Sequence, residues 1–261
     1  MKIGVCAMPD KLPLLSELGF DYYEPKFSWL ASLDKAEFRE QAAALEKYSL
    51  APEVLNLFFK TGTQLYALDG NQDPLLREVA AYADVGFARA SALGGKTVVI
   101  GSGSVRGIQE GMTREETEKQ FARVLSVCGE AADKHGMTVT IEPLSFNECN
   151  YIHTVGEGAA TAKLSGHPAV GVMVDFYHHW NNHEDFATLP KFADKLWHAH
   201  YARPEDRNAP DTNDLSHLQV CADVLKKCPN AKRISLECRW SPDFVTALTT
   251  ARPLMEIFKS L

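Results

Sequence analysis

Short apolar runs alternate with longer amphipathic stretches along the whole chain, and this alternation limits the possible folds more than any single motif does. Eight runs read as β-strands, at residues 2–6, 20–24, 53–58, 96–101, 137–142, 169–175, 196–201 and 232–238. Helical periodicity fills the intervals, near residues 10–18, 34–48, 74–93, 113–135, 155–165, 184–195, 213–227 and 241–259. Strands separated by helices cannot pair as hairpins, so the pattern predicts a parallel sheet with helices packed over it.

Helix boundaries carry chemical signals of their own. Asp34 with Glu37, and Thr113 with Glu116, have the spacing of a capping box, in which each side chain satisfies a free backbone donor of the first turn. Asp73-Pro74 and Ser241-Pro242 place a capping side chain before a proline suited to the first helical position. Gly94 and Gly136 follow helical stretches and suit the left-handed residue that ends a helix. Within 113–135, Phe121, Val124, Leu125, Cys128, Ala131 and Ala132 share one face, opposite Glu118, Lys119 and Arg123.

Eight βα units in 261 residues, with no composition break or low-complexity linker, predict one α/β domain over residues 1–261, a (β/α)₈ TIM barrel. An open doubly wound sheet is the alternative, but it wants a glycine-rich phosphate turn after the first strand, where this chain reads CAMPDK. The one glycine-dense turn, GSGSVRG after the fourth strand, has neither the dinucleotide nor the P-loop spacing and reads as an ordinary βα loop. A formal net charge of −7 disfavours nucleic acid as a partner. No apolar run reaches the roughly 20 residues of a membrane span. The N-terminal stretch does not read as a signal peptide, so the cytoplasm is the expected location. Six cysteines without a CxxC spacing are expected to stay as thiols.

Four of the strand-like runs end on a residue able to bind metal: VTIE at Glu142, VMVD at Asp175, WHAH at His200 and SLE at Glu237. In a closed parallel barrel all strand C-termini open on one face, so these four converge. Three carboxylates and an imidazole suit one divalent cation such as Mn²⁺, Mg²⁺, Co²⁺ or Zn²⁺. Taken singly, each is as readily a helix cap; as a set they predict a metal site. Glu148 and His178 lie close behind two of them and are candidates to hold substrate oxygens, against the plainer readings of a solvated acid and a surface histidine, the latter applying equally to His179. His198 and His200 alternate on one strand face, one at the mouth and one in the layer below. Arg203 and Arg207 are candidates for anchoring a substrate oxyanion, although a surface ion pair is the ordinary role of either. Arg239 and Trp240 occupy the loop after the eighth strand. Glu24 and Asn56 extend a polar rim, while Trp29, Phe58, Phe59 and Trp240 offer apolar walls if they are not core.

With these residues in order, the chain resembles the xylose isomerase-like TIM-barrel superfamily, in particular its sugar isomerases and epimerases, over its whole length. In the ketose 3-epimerase branch, Glu, Asp, His and Glu from the last four strands hold the metal, which the resemblance carries onto Glu142, Asp175, His200 and Glu237. It also carries a second glutamate onto Glu148 and a D-x-x-H onto Asp175 and His178. The branch's arginine six residues beyond the ligand histidine is replaced here by Asp206, with Arg207 next and Arg203 its competitor. The resemblance implies proton-transfer isomerisation or epimerisation of a small ketose or hydroxy-carbonyl substrate, with Glu142 and Glu237 as acid and base. It also leaves room for a homo-oligomer. Lyase chemistry on a keto-inositol or keto-glycoside starts from the same proton abstraction. Apurinic-site endonucleases share the fold but need extra histidines for several zinc ions and a basic surface, and a non-catalytic sugar-binding barrel would not need the acid/base pair.

Overall fold

The computed structural model describes residues 1–261. Eight parallel strands, β1 (Lys2–Cys6), β2 (Tyr22–Glu24), β3 (Val54–Leu55), β4 (Thr97–Ile100), β5 (Thr138–Ile141), β6 (Val170–Asp175), β7 (Leu196–Tyr201) and β8 (Arg233–Leu236), form one sheet in the order β2-β1-β8-β7-β6-β5-β4-β3. The sheet curls until β2 meets β3. There the ladder thins to one bridge, Lys26 with Asn56, and a few backbone bonds such as Asn56 N–H to Pro25 C=O at 3.0 Å and Phe27 N–H to Asn56 C=O at 2.7 Å. The barrel is therefore nearly closed, with a seam between β2 and β3.

Side chains alternate along each strand between the helix layer and the barrel interior. Tyr22, Val54, Val99 and Met173 meet inside, and the Tyr22 hydroxyl lies 2.7 Å from Ser235 Oγ across the barrel. Gly4 makes room for that ring: a Cβ on it would come within 2.3 Å of Tyr22. Outside the sheet, two apolar clusters of 31 and 30 buried residues join strands to helices on the two halves of the barrel. The helix Arg114–Lys134 buries Phe121, Val124, Leu125, Cys128, Ala131 and Ala132, the face expected from its period.

Several boundaries differ from expectation for identifiable reasons. β2 and β3 are shorter than the apolar runs that contain them because they border the seam; Phe58 and Phe59 leave the strand and join the core, with Phe58 stacked on Phe27 at 4.5 Å. Both capping boxes are present, at Asp34 and Thr113, and a third starts the helix Val155–Leu164 at Thr154 with Glu157. Asp73 lies inside its helix rather than capping it, since Gln72 occupies the cap position and bonds Leu65 and Gln120 carbonyls with its own amide. The last helix starts at Phe244, capped by Asp243 through Thr246 N–H at 2.9 Å, so Ser241-Pro242 precedes it. The stretch expected near 184–195 winds as a 3₁₀ turn, Phe186–Phe192, around Pro190. No helix is long and apolar enough to cross a membrane.

Candidate metal centre and active site

Asp175 and His200 are register partners at the ends of β6 and β7, while Glu142 and Glu237 each follow the last residue of β5 and β8. One donor atom from each lies within 4.8 Å of the others. His200 Nδ1 is 3.4 Å from Glu142 Oε1 and 3.7 Å from Glu237 Oε2. Asp175 spends Oδ1 on Tyr177 N–H at 2.7 Å and keeps Oδ2 free. Three of these buried atoms, Glu142 Oε1, Asp175 Oδ2 and His200 Nδ1, have no hydrogen-bond partner. Orphaned buried polar atoms are costly, and three of them aimed at one point fit a divalent cation as their missing partner.

Beneath this group lies a second polar layer. His200 Nε2 is 2.8 Å from Glu24 Oε1, His198 Nε2 is 3.0 Å from Glu24 Oε2, and the Ser235 hydroxyl donates to Glu24 Oε2 at 2.5 Å. Glu24 is thus not a rim residue: it is 1% exposed and underlies the site, bound to both imidazoles. Burial alone would raise its pKa, but His200 and His198 overcome burial and hold the carboxyl well below the usual range. With Nε2 engaged by that carboxylate, His200 directs Nδ1 to the donor cluster, the arrangement typical of metal-binding imidazoles. His198 occupies the lower layer, and its Nδ1 lies 3.1 Å from the Arg233 carbonyl.

The two strand-end glutamates sit in different fields. Burial pushes Glu142 up, and the neighbouring Glu237 charge adds to the effect. Glu237 is only half-buried, and His200 and Arg207 outweigh its desolvation and draw it down. Arg207 Nη2 donates to Glu237 Oε2 at 2.8 Å and Nη1 to Glu148 Oε1 at 2.7 Å, from a backbone held at φ +59°. His178 Nδ1 accepts Ser145 N–H at 3.2 Å, and its unpartnered Nε2 lies 3.7 Å from Asp175 Oδ2 and 3.9 Å from Glu148 Oε2.

Arg207, then, faces the site and Arg203 does not. Arg203 Nη1 donates to Asp211 at 2.6 Å and Nε to Asp206 at 3.1 Å, so its charge is consumed within its own loop. His179 departs from the expectation of a surface histidine, being 1% exposed, with desolvation pushing it down to about 4. Arg239 is exposed, and Trp29 packs against the core.

A cavity of about 390 Å³ opens beside Glu237 and carries Trp240, Met8, Leu57, Asn56 and Cys6 on its walls. Trp240 packs its ring against Phe244 at 4.6 Å. A larger hollow of about 570 Å³ lies between the helix Val155–Leu164 and the turn Phe186–Phe192 and includes none of the four donors. Two residues at the site had no signal in their own neighbourhoods. Cys6, at the end of β1, places Sγ 3.9 Å from His200 Nε2, and position on a strand end was its only mark. Arg106, in the glycine-dense turn, is fully buried behind Glu142.

A family model for the xylose isomerase-like TIM barrel matches residues 12–261. No curated protein sequence matches the chain. Among solved structures it is similar to 3-keto-D-glucoside 4-epimerase from E. coli, at 18% identity and a TM-score of 0.77, with 100% of each chain covered. It is also similar to D-psicose 3-epimerase crystallised in the presence of D-fructose, at 14% identity and a TM-score of 0.81, over 100% of this chain and 99% of that one. An AP endonuclease of family 2 from Brucella melitensis aligns at 22% identity and a TM-score of 0.77, over 95% of each chain.

Proposed function

Because the chain belongs to the xylose isomerase-like TIM-barrel family, we propose that it is a metal-dependent isomerase or epimerase of a ketose or related hydroxy-carbonyl compound, moving a proton through an enediolate. The observation that carries this reading is the convergence of three unpartnered buried donor atoms beside two acid/base-capable carboxylates. Glu142, Asp175, His200 and Glu237 would hold Mn²⁺, Mg²⁺, Co²⁺ or Zn²⁺, which supplies the positive charge that makes a carbon-bound proton acidic.

Around that charge the side chains divide the work. Glu142 and Glu237 exchange the proton with carbon, one removing it and the other returning it. Arg207 steadies Glu237 through one oxygen and Glu148 through another, so that Glu148 and His178 present fixed polar atoms to substrate hydroxyls. Trp240, Leu57 and Met8 cover the carbon chain and limit water. A multi-zinc endonuclease site is unsupported, since Cys6, Asn56 and Gly101 stand near the ends of β1, β3 and β4 where further histidines would be needed.

The test is to incubate the Mn²⁺-loaded protein with ketoses and keto-acids in D₂O and follow exchange of carbon-bound protons by NMR. Exchange with formation of an epimer or aldose isomer is expected, and Glu142→Gln and Glu237→Gln should each lower it about 10²- to 10⁴-fold. Dehydrated products would move the assignment to a lyase. Absence of exchange across the panel would overturn the reading.

A further inference from the structure

Arg106 is fully buried, yet it forms no ion pair, and its side-chain hydrogen bonds all go to backbone carbonyls. Its guanidinium is spent on three carbonyls instead: Nε donates to Gly101 at 2.9 Å, Nη2 to Glu142 at 2.7 Å, and Nη1 to Tyr151. A cation is expensive to bury, and a protein with no need of its fork would place an apolar side chain here. Two of the three acceptors share a special relation. Gly101 and Glu142 follow β4 and β5, and the Glu142 carboxylate lies so close over Gly101 that a Cβ there would come within 2.1 Å of Oε2. The opposite carboxylate oxygen, Oε1, points at His200 Nδ1.

We propose that Arg106 is the positioning residue for Glu142: its rigid fork clamps the backbones of Gly101 and Glu142 together, and that close approach holds the carboxylate in its aim at the metal site. The inference rests on the isomerase reading above and assigns Arg106 no contact with substrate. Lysine, a point charge on a flexible stem, cannot span two carbonyls in fixed geometry. A methyl group on Gly101 attacks the same contact from the other side, without touching the arginine. Both substitutions must therefore move the Glu142 carboxylate and disturb the same properties.

The experiment titrates Mn²⁺ alone into the wild-type protein, Arg106→Lys, Gly101→Ala and the double variant by calorimetry. It also measures kcat and KM for whichever substrate shows exchange, at a temperature where all four are folded by circular dichroism. Each single variant is expected to bind Mn²⁺ about 10- to 100-fold more weakly, with kcat falling by a similar factor and KM changing less. The double variant should resemble either single one, because both break one contact. Tyr66→Phe, which removes only the hydroxyl bond to the Arg106 carbonyl, should leave Mn²⁺ affinity unchanged whatever it does to melting. Wild-type affinity and kcat in Arg106→Lys would overturn the proposal, as would Tyr66→Phe matching its losses in proportion to stability. No Mn²⁺ binding by the wild type would instead overturn the metal-dependent reading beneath it.

Discussion

Glu24 shows how much of the donor cluster's geometry rests on a residue outside the cluster itself. It binds both imidazoles and the Ser235 hydroxyl from inside the barrel, although 176 positions separate it from His200. Glu24→Gln keeps the shape but can no longer accept on both oxygens, so one imidazole loses its partner and its orientation. Metal affinity should fall about 10- to 100-fold, measurable by titration with Mn²⁺ in the absence of substrate. An unchanged affinity would remove Glu24 from that role. At this scale the sequence was uneven. Glu142, Asp175, His200 and Glu237 were legible because each terminates an apolar run, a position the barrel geometry makes meaningful. Glu24 also terminates one, but the depth of its carboxylate depends on which imidazoles meet it across the barrel, and no local pattern records that. Arg106 was hidden for a related reason: arginine in a glycine-rich loop looks solvated until the loop folds inward.

Among the elements, legibility followed backbone pairing rather than burial. Strands β4 to β6 stand out because β-branched and apolar residues dominate both faces, and β7 and β8 because such residues fill one face, whereas the ends of β2 and β3 are not marked where pairing thins out. Helix starts are marked in the sequence where both halves of a capping box are present, whereas Ser241-Pro242 resembles a helix start although the cap is Asp243. The helix Val155–Leu164 carries a pH-sensitive feature at its N-terminal end. Glu184 accepts Val155 N–H at 3.0 Å, and burial, with Glu157 nearby, raises its pKa from 4.5 to about 7. A carboxyl whose folded pKa exceeds its unfolded one stabilises fully below pH 4.5 and loses that contribution as pH rises through 7. Glu184→Gln, which keeps the acceptor without the charge, should therefore match the wild type near pH 4.5 and exceed it by about 1 kcal/mol at pH 8, a figure discounted for partial exposure. Denaturant melts at the two pH values measure the difference. Equal differences at both would show that the charge has no such effect.

The whole molecule is a barrel whose ladder is continuous everywhere except between β2 and β3. Below the strands, Glu53 binds Lys2 and, at 2.6 Å, Arg233, tying the chain just ahead of β3 to β1 and β8. Sheet regions with few paired backbone groups open most readily. Native-state hydrogen exchange should thus be faster at the seam amides of Tyr23 and Asn56 than at β6 and β7 amides such as Val172, and protection uniform around the barrel would contradict it. The position of the seam also bears on what heating should do first. Glu24, which steers His200, is the last residue of β2 and so belongs to the least secured stave. If the proposed metal site is right, a protein built in this way would surrender its grip on a cation while most of its staves are still locked, and heating should abolish activity at a temperature below the one at which circular dichroism shows the barrel melting.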